Sequence, residues 1–219
     1  MTEDVKTPRR YDSRRRQEQA AQTRRDLLAG AGTLFRQRGY AATSIPLIAS
    51  EVGVAVETIY RNFGSKAGLF KAVVEAAVAG GSERADIPVE QRPAIKALIE
   101  EPDPRRQVAM YAATQPGIHR RSGPLLRALR GAAATDPELA QLWEQIEASR
   151  RVGQGRFVGM LAGRGVLRDD LSVEEGCDVA WTLCSLAVHD LLVEDRRWSS
   201  ERYQDWLTDS LTRELLGEG

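Results

Sequence analysis

The chain has 219 residues, 42% hydrophobic and 28% charged, and its 31 Lys and Arg balance 31 Asp and Glu to a formal net charge of zero. That length suits a small domain joined to a larger one, while two cysteines and two histidines argue against a disulfide scaffold or a metal constellation. No apolar run approaches the ~18 residues of a membrane span, and the charged N-terminus lacks the apolar core of a signal peptide, so a cytoplasmic protein without a membrane partner is expected.

The neutral total hides an asymmetry. Residues 1–80 hold 13 Lys and Arg against 8 Asp and Glu, and residues 81–219 hold 18 against 23, as expected when only one domain sits on phosphates. Much of the excess lies in Arg9, Arg10, Arg14, Arg15 and Arg16. Two readings stay open: a flexible Arg-rich arm over residues 1–16 that lies along a nucleic-acid backbone or enters the minor groove, or a solvated tail with residues 14–16 extending the first helix.

Residues 24–38 then form a helix, with Leu27, Leu28, Ala31, Leu34 and Phe35 on one stripe and Gly39 as its stop. In the segment T-S-I-P-L-I-A-S-E-V-G-V-A-V-E-T-I-Y-R-N-F, over 43–63, the hydroxyls of Thr43 and Ser44 can cap a second helix. Pro46 falls in its first turn, where a missing N–H costs nothing. Gly53 supplies the turn, and a third helix packs Ala55, Ile59 and Phe63 at i, i+4 and i+8. Its other face presents Glu57, Tyr60 and Arg61, with Thr58 at the margin, a set able to meet bases and phosphates. Ser65 caps a fourth helix over 66–79 whose first turn carries Lys66; a cation there suits a nearby phosphate better than it suits the helix dipole.

The run R-R-D-L-L-A-G-A-G-T-L-F-R-Q-R-G-Y-A-A-T-S, continuing through E-V-G-V-A-V-E-T-I-Y-R-N-F-G-S-K-A-G-L-F, resembles the N-terminal DNA-binding domain of the TetR family of transcriptional regulators over about residues 24–72. The resemblance implies a homodimer that places its third helices in successive major grooves. It also implies phosphate contacts at Thr43 or Ser44, Tyr60 and Lys66, and base contacts nearest Val56, Glu57 and Thr58. At A-V-E the sequence departs from the hydroxyl, basic residue and glycine more frequent there, so base preference does not transfer. The expected organisation is an arm over 1–16, a helix-turn-helix DNA-binding domain over 17–65 and a helical effector-binding and dimerisation domain over 66–219.

Between Gly80 and Pro104 the prolines allow at most a short helix over 94–100. Helices are expected over 105–114 and 122–134, separated by Pro116-Gly117. A long one opens at Asp136-Pro137-Glu138 and reaches Gly163. Ser172 and Glu175 form a capping box for a helix to about Glu194, and Ser199 or Ser200 starts a last one ending near Leu216. The fold class is all-α, with about nine helices.

Cys177 and Cys184, seven residues apart on one helix, would sit ~10 Å apart, beyond disulfide reach, and read as core. On the long helix Trp143, Ile146 and Phe157 share a narrow sector with Arg150, beside Gly153. Either Arg150 faces an effector cavity walled by those three residues, or it forms a structural ion pair or turns to solvent. The last two helices carry wide apolar stripes, and Trp181, Cys184, Val188, Leu191, Trp206, Leu207 and Leu211 are expected at a two-fold dimer interface, as the resemblance implies.

The function expected is a ligand-responsive transcriptional regulator, a repressor that binds a palindromic operator as a homodimer and is released by a small-molecule effector. The alternatives are an effector-independent DNA-binding regulator or a helical interaction module. An enzyme is disfavoured: no nucleophile motif or Gly-rich phosphate loop appears, and no catalytic residue, metal or cofactor is assigned.

Overall fold

A computed structural model describes residues 9–217, with side chains from residue 15 onward. Helix α1 spans Arg9–Arg38, α2 Ile45–Val52, α3 Val56–Phe63 and α4 Lys66–Ala79. A short α5 (Ser82–Ala85), a 3-10 turn (Val89–Gln91) and α6 (Pro93–Glu100) lead to the long pair α7 (Pro104–Ala133) and α8 (Pro137–Gly163). Then come α9 (Val173–Leu183), α10 (Leu186–His189), which runs into a π-helical stretch Asp190–Asp195, and α11 (Ser200–Leu215). Among the described residues there is no strand, only an isolated bridge between Leu167 and Leu216, so the all-α class holds.

Side chains collect in two cores. The first joins Leu27, Phe35, Ile48, Ile59, Leu69 and Phe70 of α1–α4 to Leu125 and Leu129 of α7 and to Leu139, Leu142 and Ile146 of α8. The second gathers Val108 and Ala112 of α7 with Phe157, Val158 and Leu161 of α8 and Tyr203, Leu207, Leu211 and Leu215 of α11. Each long helix therefore serves one core at one end and the other core at its far end. This ties the orientation of the N-terminal domain to the packing of the body.

Several expected boundaries move. Residues 9–16 belong to α1, not to a flexible arm, because this Arg-rich stretch holds no Gly or Pro and runs into the Gln- and Ala-rich turns that follow it; the expectation for residues 1–8 lies outside the described residues. Helix α7 is continuous through Pro116 and Pro124. One side of it buries Val108, Ala112, Gln115, His119, Ser122 and Leu126, and that packing outweighs the hydrogen bonds the prolines remove. The capping box of Ser172 and Glu175 is present. Its helix is interrupted at Cys184, and Ser185 caps a new start by accepting from Val188 N at 3.2 Å.

Val173–Asp195 has the length and mean composition of a candidate membrane span, although its acidic residues leave no uninterrupted apolar run, in keeping with the expectation. In this fold its apolar side packs on α8 and α11, and Cys177, Ala180 and Cys184 enter the body. Both cysteines are free and buried; burial pushes the Cys184 thiol up to about 12.

Candidate nucleic-acid interface

Gly39, at φ 75°, ends α1, and Tyr40 folds back between Phe35 and Phe70, with ring centroids 5.9 and 5.3 Å away. Thr43 is fully buried: its hydroxyl donates to the Gly39 carbonyl at 2.7 Å, with the Leu34 carbonyl at 3.3 Å. The expected phosphate contact of the Thr43 side chain is therefore corrected. It fastens the α1–α2 corner, because a buried hydroxyl goes first to the nearest unsatisfied carbonyls. Ser44 is the exposed member of the pair. It caps α2 by accepting from Leu47 N, which leaves its own O–H free to donate outward.

Gly53, at φ 74°, makes the turn into α3. Ala55 stands at the N-cap of α3 with no side-chain cap, and it is exposed, not packed as expected. The inward set is Val56, Ile59 and Phe63, and Ile59 is fully buried. Val56 and Thr58 are thus half-buried, whereas Glu57, Tyr60 and Arg61 stand out, with Tyr60 49% exposed. The first amides of α3 lack a side-chain acceptor and open beside these groups, an arrangement able to receive a phosphate oxygen.

At the next corner Ser65 accepts from Gly68 N at 3.0 Å and caps α4. The Lys66 ammonium lies 4.1 Å from the Tyr40 ring centroid, a cation–π contact, and has no carboxylate partner among the described residues. Burial lowers its pKa, opposed by the charge of Glu138 at the start of α8. Burial likewise raises Tyr40 to about 12. Ser44, Glu57, Tyr60, Arg61 and Lys66 are therefore among the polar groups that the corners of α2, α3 and α4 leave available. Tyr40, which seats the lysine, was not among the sequence candidates; its spacing after Gly39 signalled only a helix end.

In the body the expected effector residues do not converge. Arg150 donates through Nε and Nη2 to Glu147 Oε2 at 3.1 and 2.7 Å, and through Nη1 to the Trp181 carbonyl at 2.8 Å, and it stacks over the Trp181 ring at 4.6 Å. It forms the structural ion pair of the two readings. Trp143 and Ile146 belong to the first core, while Phe157 stacks on Tyr111 at 3.8 Å in the second. At the expected dimer face Cys184, Leu207 and Leu211 are corrected to monomer core, at most 1% exposed, because α11 turns its two leucines onto α7 and α9 and Cys184, at the end of α9, enters the same core. Trp181, Val188 and Trp206 are half-buried and Leu191 is 58% exposed.

A polar cluster inside the body went unnoticed because its members are far apart in sequence. His119, His189 and Tyr203 pack ring to ring, with centroids 4.6 to 6.2 Å apart. Among the described residues, both His119 nitrogens and the Tyr203 hydroxyl have no hydrogen-bond partner. His189 contacts Asp190, which pairs with Arg127 at 2.7 Å. Burial, helped by His189 and Arg150, pushes His119 down to about 3 from 6.5.

A depressed histidine stays neutral in the fold while the unfolded chain takes up a proton below pH 6.5. Stability is therefore lost as pH falls, by about 2 kcal/mol between pH 7 and pH 5. His119→Leu removes the titration and two unpartnered nitrogens, so the difference between urea unfolding curves at pH 7 and pH 5 is expected to shrink by that amount. An unchanged difference would assign the acid sensitivity elsewhere.

Residues 27–73 match the model of the family described as bacterial regulatory proteins, tetR family. A 76-residue stretch, 33% of the chain, is 37% identical to the HTH-type transcriptional repressor BdcR of Escherichia coli (strain K12) and spans 38% of that repressor's length. A crystal structure assigned to the TetR-family transcriptional regulators, from Mesorhizobium loti MAFF303099, aligns over 90% of this chain and 98% of its own, with TM-score 0.64 and 21% identity. A transcriptional regulator from Saccharomonospora viridis in complex with choline aligns over 90% and 100%, with TM-score 0.62 and 20% identity. At these identities the two structures establish a shared fold.

Proposed function

We propose that the chain, whose residues 27–73 match the tetR family of bacterial regulatory proteins, is a cytoplasmic repressor that binds a palindromic operator as a homodimer and releases it when a small molecule binds. The observation that carries the DNA reading is the α3 corner. Ile59 anchors the helix from behind, its N-terminus is uncapped by any side chain, and Glu57, Tyr60 and Arg61 project beside Ser44 and Lys66. Glu57 accepts only, so toward a base edge it favours the amino group of cytosine. Tyr60, Ser44 and Lys66 donate toward phosphates and set the register.

A dimer is required because one 8-residue helix reads too few bases for a specific site, and two half-sites at a fixed separation multiply the affinity. Trp181, Val188, Leu191 and Trp206 offer the apolar surface for that pairing. Release follows if an effector favours a spacing of the two α3 helices that no longer fits successive grooves. The choline complex of the Saccharomonospora viridis regulator supports small-molecule control on this fold. The ion pair of Arg150 supports the second reading, a regulator whose body only dimerises.

The test is binding to the DNA upstream of the protein's own reading frame, followed by fluorescence anisotropy at several salt concentrations. Tyr60→Ala and Lys66→Ala are each expected to weaken binding about tenfold and to flatten the salt dependence by about one phosphate contact for the lysine. Unchanged affinity and slope in both would remove the proposed interface. Titration of the complex with crude metabolite fractions separates the ligand-responsive reading from the effector-independent one.

A further inference from the structure

Where the N-terminal domain meets the body, a cleft of about 450 Å³ opens between α1, α4 and α7. Its floor is apolar, built from Leu28, Ala29, Val73, Ala76 and Ala77. Its rim is cationic. Arg36, Arg120 and Arg121 line it, and Arg84 stands close enough to act on Arg121. No carboxylate lines the cleft, and among the described residues none of these four arginines has an acidic partner, although Arg24 and Arg25 nearby share Asp86.

Four guanidinium groups without a counter-charge repel one another, and their collection around one apolar hollow favours an anion there. Glycines clear the ground beneath them. A Cβ at Gly32 would come within 3.3 Å of Arg36 Nη1, one at Gly80 within 3.1 Å of Arg84 Nη1, and one at Gly117 within 3.0 Å of Arg121 Nη1. Burial and the neighbouring Arg120 and Arg84 lower the Arg121 pKa, the signature of a cation held among cations.

We propose that this cleft binds an organic anion, with a carboxylate or phosphate clamped by Arg36, Arg120 and Arg121 and a short apolar portion seated on the floor of α1 and α4. The guanidinium fork suits both oxyanions, and the volume lies within the range of small-molecule sites. The position gives the ligand leverage. Arg121 Nε donates to the Ala77 carbonyl at 2.7 Å and is the polar tie between α7 and the last turn of α4. An anion that draws α7 and α1 onto opposite sides of one carboxylate changes the angle at which α4 carries the reading helix.

The site rests on the regulator reading only for its consequence, since binding is measurable without DNA. The test is isothermal calorimetry of the full chain with octanoate and octyl phosphate, against octanol and octylamine. The two anions are expected to bind and the neutral and cationic chains not to. Their ratio assigns the carboxylate or the phosphate class. Arg36→Gln and Arg120→Gln, both at exposed side chains, should each weaken the anion about tenfold, while Arg196→Gln, exposed and outside the lining of the cleft, should leave it unchanged. Equal binding of octanol and octanoate, or full anion affinity in the folded Arg36→Gln and Arg120→Gln variants, would overturn the site. Loss of operator binding by the unaltered protein would count against the regulator reading and leave the calorimetric result standing.

Discussion

Gly68→Ala is expected to destabilise the protein by about 3 kcal/mol and to lower operator affinity about a hundredfold. A Cβ at this position would lie 2.1 Å from the Phe63 carbonyl oxygen, which is backbone and cannot rotate aside. The chain can relieve the clash only by moving the first turn of α4 away from the end of α3. That movement breaks the bond from Gly68 N to Ser65 Oγ and shifts Lys66 off the Tyr40 ring. Both the position of the Lys66 cation and the angle of α3 would change together.

Gly153→Ala is the matched control: it lies on an exposed stretch of α8, with nothing within 4 Å of the added carbon. Helix propensity predicts a gain there of about 0.5–1 kcal/mol with unaltered DNA binding. Urea unfolding and anisotropy on the two variants would decide the matter. If Gly68→Ala behaved like Gly153→Ala, the α3–α4 corner would not be what holds the reading helix.

The parts of this fold that were legible in sequence are those whose cause is local. Ser44, Ser65, Ser172 and Ser199 cap the helices they were expected to cap, because a cap is settled within four residues. Gly39 and Gly53 take positive φ where the turns demand it. What failed depended on neighbours. Thr43 and Ser44 look alike as cap residues, and only the arrival of the Leu34 and Gly39 carbonyls decides which hydroxyl is buried.

The Arg150 sector failed for a geometric reason. A helical period places Ile146 and Phe157 on one stripe, yet α8 is long enough that the two ends of the stripe meet different cores. In the same way the apolar stripes of α9 and α11 are wider than a dimer needs. Cys184, Leu207 and Leu211 fill the subunit itself, and only the flanks are left for a partner. The His119, His189 and Tyr203 cluster joins three segments that no local pattern connects.

Arg150→Ala is the second substitution with a large expected effect, a loss of about 3 kcal/mol. Helix α9 ends at Leu183, and the amides of Cys184 and Ser185 turn to Ala180 and Thr182, which leaves the Trp181 carbonyl to Arg150. A guanidinium on a C-terminal carbonyl satisfies that acceptor and complements the helix dipole. Removing it also strands Glu147, whose side chain is only 21% exposed, and takes the cation from the face of Trp181. Arg150→Lys should recover less than half of the loss, since one ammonium cannot serve Glu147 and the carbonyl while stacking on the indole.

Glu147→Gln, which keeps an acceptor, should cost about 1 kcal/mol. A double-mutant cycle of Arg150→Ala with Glu147→Ala, followed by urea unfolding, should give a coupling of about 1–2 kcal/mol. If Arg150 served mainly to hold an effector, the single substitution would leave stability nearly unchanged and the coupling would vanish. A large coupling with unaltered operator affinity would fix the arginine as the clasp between α8 and the end of α9. Any effector would then have to bind outside this clasp.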